Sequence, residues 1–263
     1  MHPIVLQFGR FPIYSYGVMV ALAFLVGTWT ASRRGLRDGF ASEQIVDLVP
    51  WLIVGAIVGA RALFVLSYWK DEFADKPLAN IFMIWHGGLV YYGGFLGAVL
   101  AGIVYVRSKK LPLWKVGDAL APSIALGSAF GRVGCLLNGC CYGRPCSLPW
   151  AIRFPTGHET HPVGFPATPV HPTEIYDALL NLCLYAALAW LYRRKRFDGQ
   201  VFCTYLVCYA LLRSFVELFR GDYPPNQHYL GGWATPAQLV SIAILTAGLV
   251  LFRMLPRPAV KRG

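Results

Sequence analysis

The chain has 263 residues, of which 56% are hydrophobic and only 14% charged, with a formal net charge of +11. A soluble domain carries about 25% charged residues, so the deficit excludes an ordinary soluble enzyme and points to a polytopic membrane protein. The positive excess argues against a nucleic-acid partner, because it is divided into short clusters between apolar runs, as membrane topology requires.

Seven apolar stretches are long enough to cross a bilayer, at about 13–32, 44–68, 84–106, 116–137, 174–192, 200–219 and 237–255. The predicted fold is therefore an all-α integral membrane protein, a seven-helix bundle forming one embedded domain over 1–263. Of the 24 Lys and Arg residues, fifteen fall in alternate connections or at the C-terminus (Arg33, Arg34 and Arg37, then 107–115, 193–196 and 253–262). Six lie on the opposite side and three, Arg61, Arg132 and Arg213, lie inside spans. The positive-inside rule then places the N-terminus in the periplasm and the C-terminus in the cytoplasm. Met1-His2-Pro3 lacks the basic opening of a signal peptide and Arg33-Arg34 follows the first apolar run, so a retained first span is expected.

Along the chain, Tyr16 brings a hydroxyl to the outer half of span one. Arg61 lies centrally in span two, where a structural pairing with Asp118 or Asp47 is expected. Span three opens Trp85-His86-Gly87-Gly88 and continues through Tyr91-Tyr92-Gly93-Gly94 to Gly97. Its glycines permit close helix packing, while His86 and Tyr92 are titratable and lie near the outer end. Span four ends in Gly127-Ser128-Ala129-Phe130-Gly131-Arg132-Val133-Gly134, which sets a permanent charge among closely packing glycines. A guanidinium at such depth costs several kcal/mol by rough insertion scales unless it faces a cavity or an anion. The matching anion for its planar fork is a phosphate.

Beyond span four, Cys135, Cys140, Cys141 and Cys146 cluster at the outer end. Their C-x4-C-C-x4-C spacing matches no standard zinc pattern, so one or two disulfides are expected on the oxidising side of the membrane. The outer loop, about 138–173, is rich in Pro, Gly and His and serves either as an entrance for a second substrate or as a surface cap. His158 and His161 are read as solvated loop histidines. His171-Pro172-Thr173 opens span five with Thr173 as the expected N-cap. In span six, Tyr209, Arg213, Glu217 and Arg220 are spaced by four, four and three. At about 100° per residue they share an arc of about 80°. A polar seam on a spanning helix faces a wet or ligand-filled interior, with an Arg213–Glu217 bridge one turn apart.

These residues resemble those of the prolipoprotein diacylglyceryl transferases over nearly the whole chain. The likeness rests on Tyr16-Gly17, the paired glycines of 87–94, Gly131-Arg132-x-Gly134, Asn138-Gly139 with Gly143, His171-Pro172-Thr173 with Tyr176, and the Tyr209–Arg220 stripe. The resemblance implies a bacterial inner-membrane enzyme with seven spans. Such an enzyme moves the diacylglyceryl group of phosphatidylglycerol to the lipobox cysteine thiol that follows a prolipoprotein signal peptide, and releases glycerol phosphate. It implies no cofactor and no metal. It also implies that Arg132 and Arg213 hold the lipid phosphate, while Tyr16, Asn138, Gly143, Tyr209, Glu217 and Arg220 shape the site. His171, just outside span five, would touch a headgroup or support the loop. Three positions depart from the family pattern. Tyr92 stands where most members have His, Cys135 where Asn is usual, and Cys140 where Glu is usual. The general base is therefore left open between His86, Tyr92 and no dedicated base.

Three other readings remain. One is a paralogous transferase with another acceptor. Another is a transporter or channel, whose telltale repeat of broken helices is not found. The third is a thiol-redox protein resting on Cys140-Cys141.

Overall fold

The structure, a computed structural model, describes residues 3–8, 11–74, 77–155, 157–158, 167–222 and 235–255, without the side chains of Phe8, Phe11, Leu78 and His86. It opens with a hairpin of β1 (Ile4–Phe8) and β2 (Phe11–Tyr14), antiparallel with Leu6 opposite Ile13. Among the described residues eleven elements follow in order: α1 (Ser15–Arg37), α2 (Ser42–Val46), α3 (Leu48–Ser67), three short helical turns over 69–86, α4 (Tyr91–Ser108), α5 (Leu113–Asn138), α6 (Thr173–Tyr192), α7 (Gln200–Glu217) and α8 (Pro236–Met254). The protein is thus mostly helical, and among the described residues five segments are long and apolar enough to cross a membrane: α1, the continuous α2–α3 pair, α5, α6 and α8. Burial is inverted relative to a water-soluble protein. Asp118, Glu174, Asp177, Asn181 and Glu217 are buried, while Leu25, Leu66, Leu100 and Ile242 are well exposed. Apolar surface turned outward and charge turned inward suit a hydrocarbon solvent.

The described chain divides into two compact units, 32–116 and the remainder. In the first, α3 and α4 pack through glycines. A Cβ at Gly97 would fall on the Gly55 carbonyl oxygen, and one at Gly59 on that of Gly93. Two small-xxx-small pairs therefore let the backbones touch. The helix expected as span three begins later than the sequence suggests. Residues 84–86 form a single 3-10 turn, and the α-helix starts at Tyr91. Gly87 and Gly88 have φ of 86° and 75°, a backbone that no helix contains. Arg61 explains why. It donates to the carbonyls of Asn80 (2.6 Å), Ile81 (2.7 Å), Gly87 (2.8 Å) and Gly88 (3.1 Å). These partners replace the expected Asp118 or Asp47 and pin the approach to α4.

In the second unit, buried Asp118 instead caps α7. Its carboxylate accepts from the N–H of Gly199 (2.9 Å) and Phe202 (3.0 Å) and from Lys195 Nζ (3.3 Å). The first turn of a helix leaves such donors unpaired and favours a negative charge. The core beside it joins Ala119, Ala121 and Ala125 of α5 to Leu184 and Leu188 of α6 and Val201 and Tyr205 of α7. Among the glycines of α5, Gly134 makes the close approach: a Cβ there would lie 3.1 Å from the Tyr16 ring and 3.2 Å from Met19 Cβ. Gly127 and Gly131 face open or ordinary space.

Candidate functional site

The ends of α5, α6 and α7 bring most of the expected residues into one unit. Arg132, one and a half turns before the end of α5, pairs through Nε with Asp177 Oδ2 of α6 at 2.7 Å. The second Asp177 oxygen accepts from Asn181 Nδ2, also at 2.7 Å. On α7, Arg213 Nη1 lies 2.6 Å from Glu217 Oε2, the bridge expected from the i,i+4 spacing. Glu217 Oε1 accepts from Thr235 Oγ1 at 2.7 Å, and Thr235 also accepts from Gln238 N at the start of α8. Both arginines are therefore held by buried carboxylates, each fixed in turn by a second donor. Such pairs hold a fork in one orientation.

Arg220 is not on the helix. α7 ends at Glu217, and Arg220 lies in an extended bridge opposite Gly143. Arg144 N donates to Phe219 O at 2.8 Å and Arg144 Nε to Arg220 O at 3.0 Å. The Arg220 fork is bidentate to Asp222, at 2.8 Å and 2.7 Å. Of the four-residue stripe, three thus share α7, and Tyr209 stacks on Tyr205 at 5.6 Å between ring centroids. Gly143 is demanded by backbone packing, since a Cβ would lie 2.5 Å from His171 Cβ and 2.8 Å from Phe219 O. His171 N donates to Arg144 O, and its ring lies against Phe219 and Tyr176. The side chain supports the loop from inside.

α5 stops at Asn138, whose side chain hydrogen-bonds the Cys140 thiol. Gly139 (φ 81°) turns the chain back, with the N–H groups of Gly139 and Cys140 both donating to Cys135 O. The turn folds Cys140 and Cys141 onto Cys135, and the three sulphurs lie within 4.8 Å of one another. All seven cysteines are free thiols, so the expected disulfides are not formed. Cys141 is held below the usual thiol range by hydrogen bonds from the Cys135 and Cys140 thiols, then by the Arg220 and Arg132 guanidiniums. Arg132 and Arg220 are also within electrostatic reach of each other. Tyr16, half-exposed, feels Arg132 and the same three sulphurs.

Thr173 is not the N-cap expected from the sequence. It is the first helical residue, and its hydroxyl donates to Cys141 O at 2.7 Å. His158 is packed, with its ring stacked 4.3 Å from Phe154 and Nε2 2.5 Å from Gly139 O. His161 and the side chain of His86 lie outside the described residues. Tyr92 occupies the first turn of α4, in the other unit, with its ring edge-on to Tyr91.

Two residues were missed from sequence. Asp177 appeared only as part of the span-five opening, although its carboxylate holds Arg132. Glu174, 1% exposed, has neither carboxylate oxygen hydrogen-bonded, yet lies within electrostatic range of Cys141, Arg220 and Arg132. The signal was available: Glu174 and Asp177 are two acids one turn apart at the mouth of an apolar helix.

Fold and site together define a polytopic helical membrane protein with paired charges buried at one end of its helices. Sequence comparison then places it. The prolipoprotein diacylglyceryl transferase family model matches residues 3–254, and the chain belongs to that family. It is 35% identical to the phosphatidylglycerol–prolipoprotein diacylglyceryl transferase of Nitratidesulfovibrio vulgaris over 252 residues, covering 95% of this chain and 92% of that protein. The enzymes of the same name from Synechococcus elongatus (35% over 275 residues, 98% and 92% covered) and Geobacillus kaustophilus (36% over 256 residues, 94% and 90% covered) are equally similar.

Proposed function

We propose that this chain transfers the sn-1,2-diacylglyceryl group of phosphatidylglycerol to the lipobox cysteine of a prolipoprotein. The observation that carries the reading is the family match along residues 3–254; the named relatives act on this lipid and this class of protein. In this reading the chain spans the bacterial inner membrane seven times, with N-terminus periplasmic and C-terminus cytoplasmic, and its substrates are phosphatidylglycerol and a prolipoprotein with its signal peptide. The clustering of Lys and Arg in alternate connections supports that orientation.

The reaction forms a carbon–sulphur bond at the glycerol carbon and breaks the carbon–oxygen bond to phosphate. The thiol gives up its proton, and the electron pair of the broken bond leaves with glycerol phosphate. Negative charge grows on the departing phosphate. Arg132 and Arg213, each oriented by a buried carboxylate, are assigned to stabilise it. Oriented charge that needs no rearrangement is the most effective form of such stabilisation. Tyr16, Asn138, Gly143, Tyr209, Glu217, Arg220 and His171 are assigned to shaping and supporting the phosphate and headgroup site. The thiol must become thiolate before attack, and the proton goes to His86, to Tyr92 or to no dedicated base; His86→Ala and Tyr92→Phe separate these, since equal, mild effects mean that neither is the acceptor.

The test is expression in a bacterium depleted of its own transferase, with mass spectrometry of a reporter lipoprotein. A diacylglyceryl thioether on the lipobox cysteine is expected. Unmodified prolipoprotein beside well-inserted protein contradicts the reading, and a different lipidated acceptor favours the paralogous transferase.

A further inference from the structure

Among the described residues one group of side chains has the geometry of metal ligands: the Cys135, Cys140 and Cys141 sulphurs, within 4.8 Å of one another. We propose that these three thiols form a site for one thiophilic ion of the zinc class. Zn–S bonds of about 2.3 Å in a tetrahedral site place sulphurs about 3.8 Å apart. The existing arrangement therefore needs to contract by at most about 1 Å, within reach of side-chain rotation.

The spacing in sequence conceals this site. Zinc motifs commonly separate paired cysteines by two to four residues; Cys135 and Cys140 reach that upper limit, but the adjacent Cys140-Cys141 has no counterpart there, and Cys135 lies in the last turn of α5 while the other two follow the helix end. Gly139 reverses the chain, and Cys141 itself takes a left-handed backbone (φ 71°), so that both later thiols fold back onto the helix end. The Thr173 hydroxyl on Cys141 O holds that turn against α6.

Charge suits the ion as well. Three thiolates around a divalent ion carry a net charge of −1. Arg132 and Arg220 are both within electrostatic reach of Cys141, and Glu174 is the acid that faces it. Each guanidinium is already paired, to Asp177 and Asp222, so the surroundings are close to balanced before an ion binds. Three protein sulphurs leave one tetrahedral position for water or an added thiol. All three cysteines are partly buried rather than exposed, which disfavours casual surface binding.

The experiment uses the full-length protein in detergent, reduced and then freed of reductant under anaerobic conditions. Titration with Cd²⁺ is expected to give one equivalent of sulphur-to-cadmium charge-transfer absorption, displaced by Zn²⁺. Cys135→Ser, Cys140→Ser and Cys141→Ser should each weaken binding at least tenfold, and Cys183→Ser should not. Because a serine variant can misfold, the wild-type protein carries the second measurement. Bound Cd²⁺ should protect Cys135, Cys140 and Cys141 from alkylation in peptide mapping, and leave Cys146 unprotected. Absence of a stoichiometric band, or protection of other cysteines, overturns the proposal. So does a disulfide within the trio in protein quenched directly from membranes. None of these readouts involves lipid transfer, so their failure and that of the proposed function are distinguishable.

Discussion

Asp177→Asn is the most informative single change at the site. Substitution keeps the shape of the side chain and its bond to Asn181 but removes the charge facing Arg132 Nε at 2.7 Å. Breaking a buried ion pair by removing one partner costs about 3–5 kcal/mol, because the other charge stays buried. Asp177 is 5% exposed but Arg132 keeps 21%, so some solvent reaches the remaining charge and the lower end, about 3 kcal/mol, applies. If that energy fixes the fork on the lipid phosphate, kcat/KM for phosphatidylglycerol falls about a hundredfold, at about 1.4 kcal/mol per decade. The assay is transfer to a fluorescent lipobox peptide in mixed micelles, with lipid and peptide varied separately. The lipid parameters should change and the peptide KM should not. In a double-mutant cycle, Asp177→Asn added to Arg132→Ala should have little further effect, since the two act as a unit. Half of wild-type activity in Asp177→Asn, or fully additive losses, would refute the positioning role.

Other substitutions test the frame around the site. Gly143→Ala forces a Cβ against His171 and Phe219 backbone or Cβ atoms, and should lower the melting temperature and the activity, whereas Gly131→Ala, with open space at its Cβ, should leave the melting temperature unchanged. Gly97→Ala places a methyl on the Gly55 carbonyl oxygen and should prevent α3 from packing on α4, visible as rapid proteolysis in membranes. The lowered Cys141 thiol gives a pH signature in metal-free protein. An ordinary thiol loses reactivity about tenfold per pH unit below about 8.5. The Cys141 thiol is held low, so its iodoacetamide labelling should fall less steeply with decreasing pH than that of an ordinary thiol; a slope like that of free cysteine contradicts the shift.

Much of this was legible in the chain. The apolar runs marked where long helices lie, and among the described residues five segments are long and apolar enough to cross a membrane, because a bilayer imposes length and composition together. Arg132, Arg213 and Glu217 stood out because charge inside apolar sequence is costly without a partner. What sequence did not give was set by tertiary contacts. Arg61 bonds four carbonyls around Gly87 and Gly88, and so turns the expected start of span three into a loop. Residues 13 and 14 open the expected first span but belong to the strand Phe11–Tyr14, paired with Ile4–Phe8 as a hairpin, since a short apolar run has no period to distinguish the two. Arg220 fits the helical stripe by angle, yet α7 ends before it and Gly143 pairs with it across the loop. The thiol trio depends on two positive-φ residues, Gly139 and Cys141, which no spacing rule anticipates.

The central claim is that Arg132 and Arg213 grip the departing phosphate, and the most direct measurement is single-turnover transfer from phosphatidylglycerol by Arg132→Ala and Arg213→Ala proteins shown to be folded. Each is expected to bind the lipobox peptide normally and to lose transfer by at least about two orders of magnitude, the scale of one lost charge-stabilising donor. Transfer near the wild-type rate in either variant contradicts it.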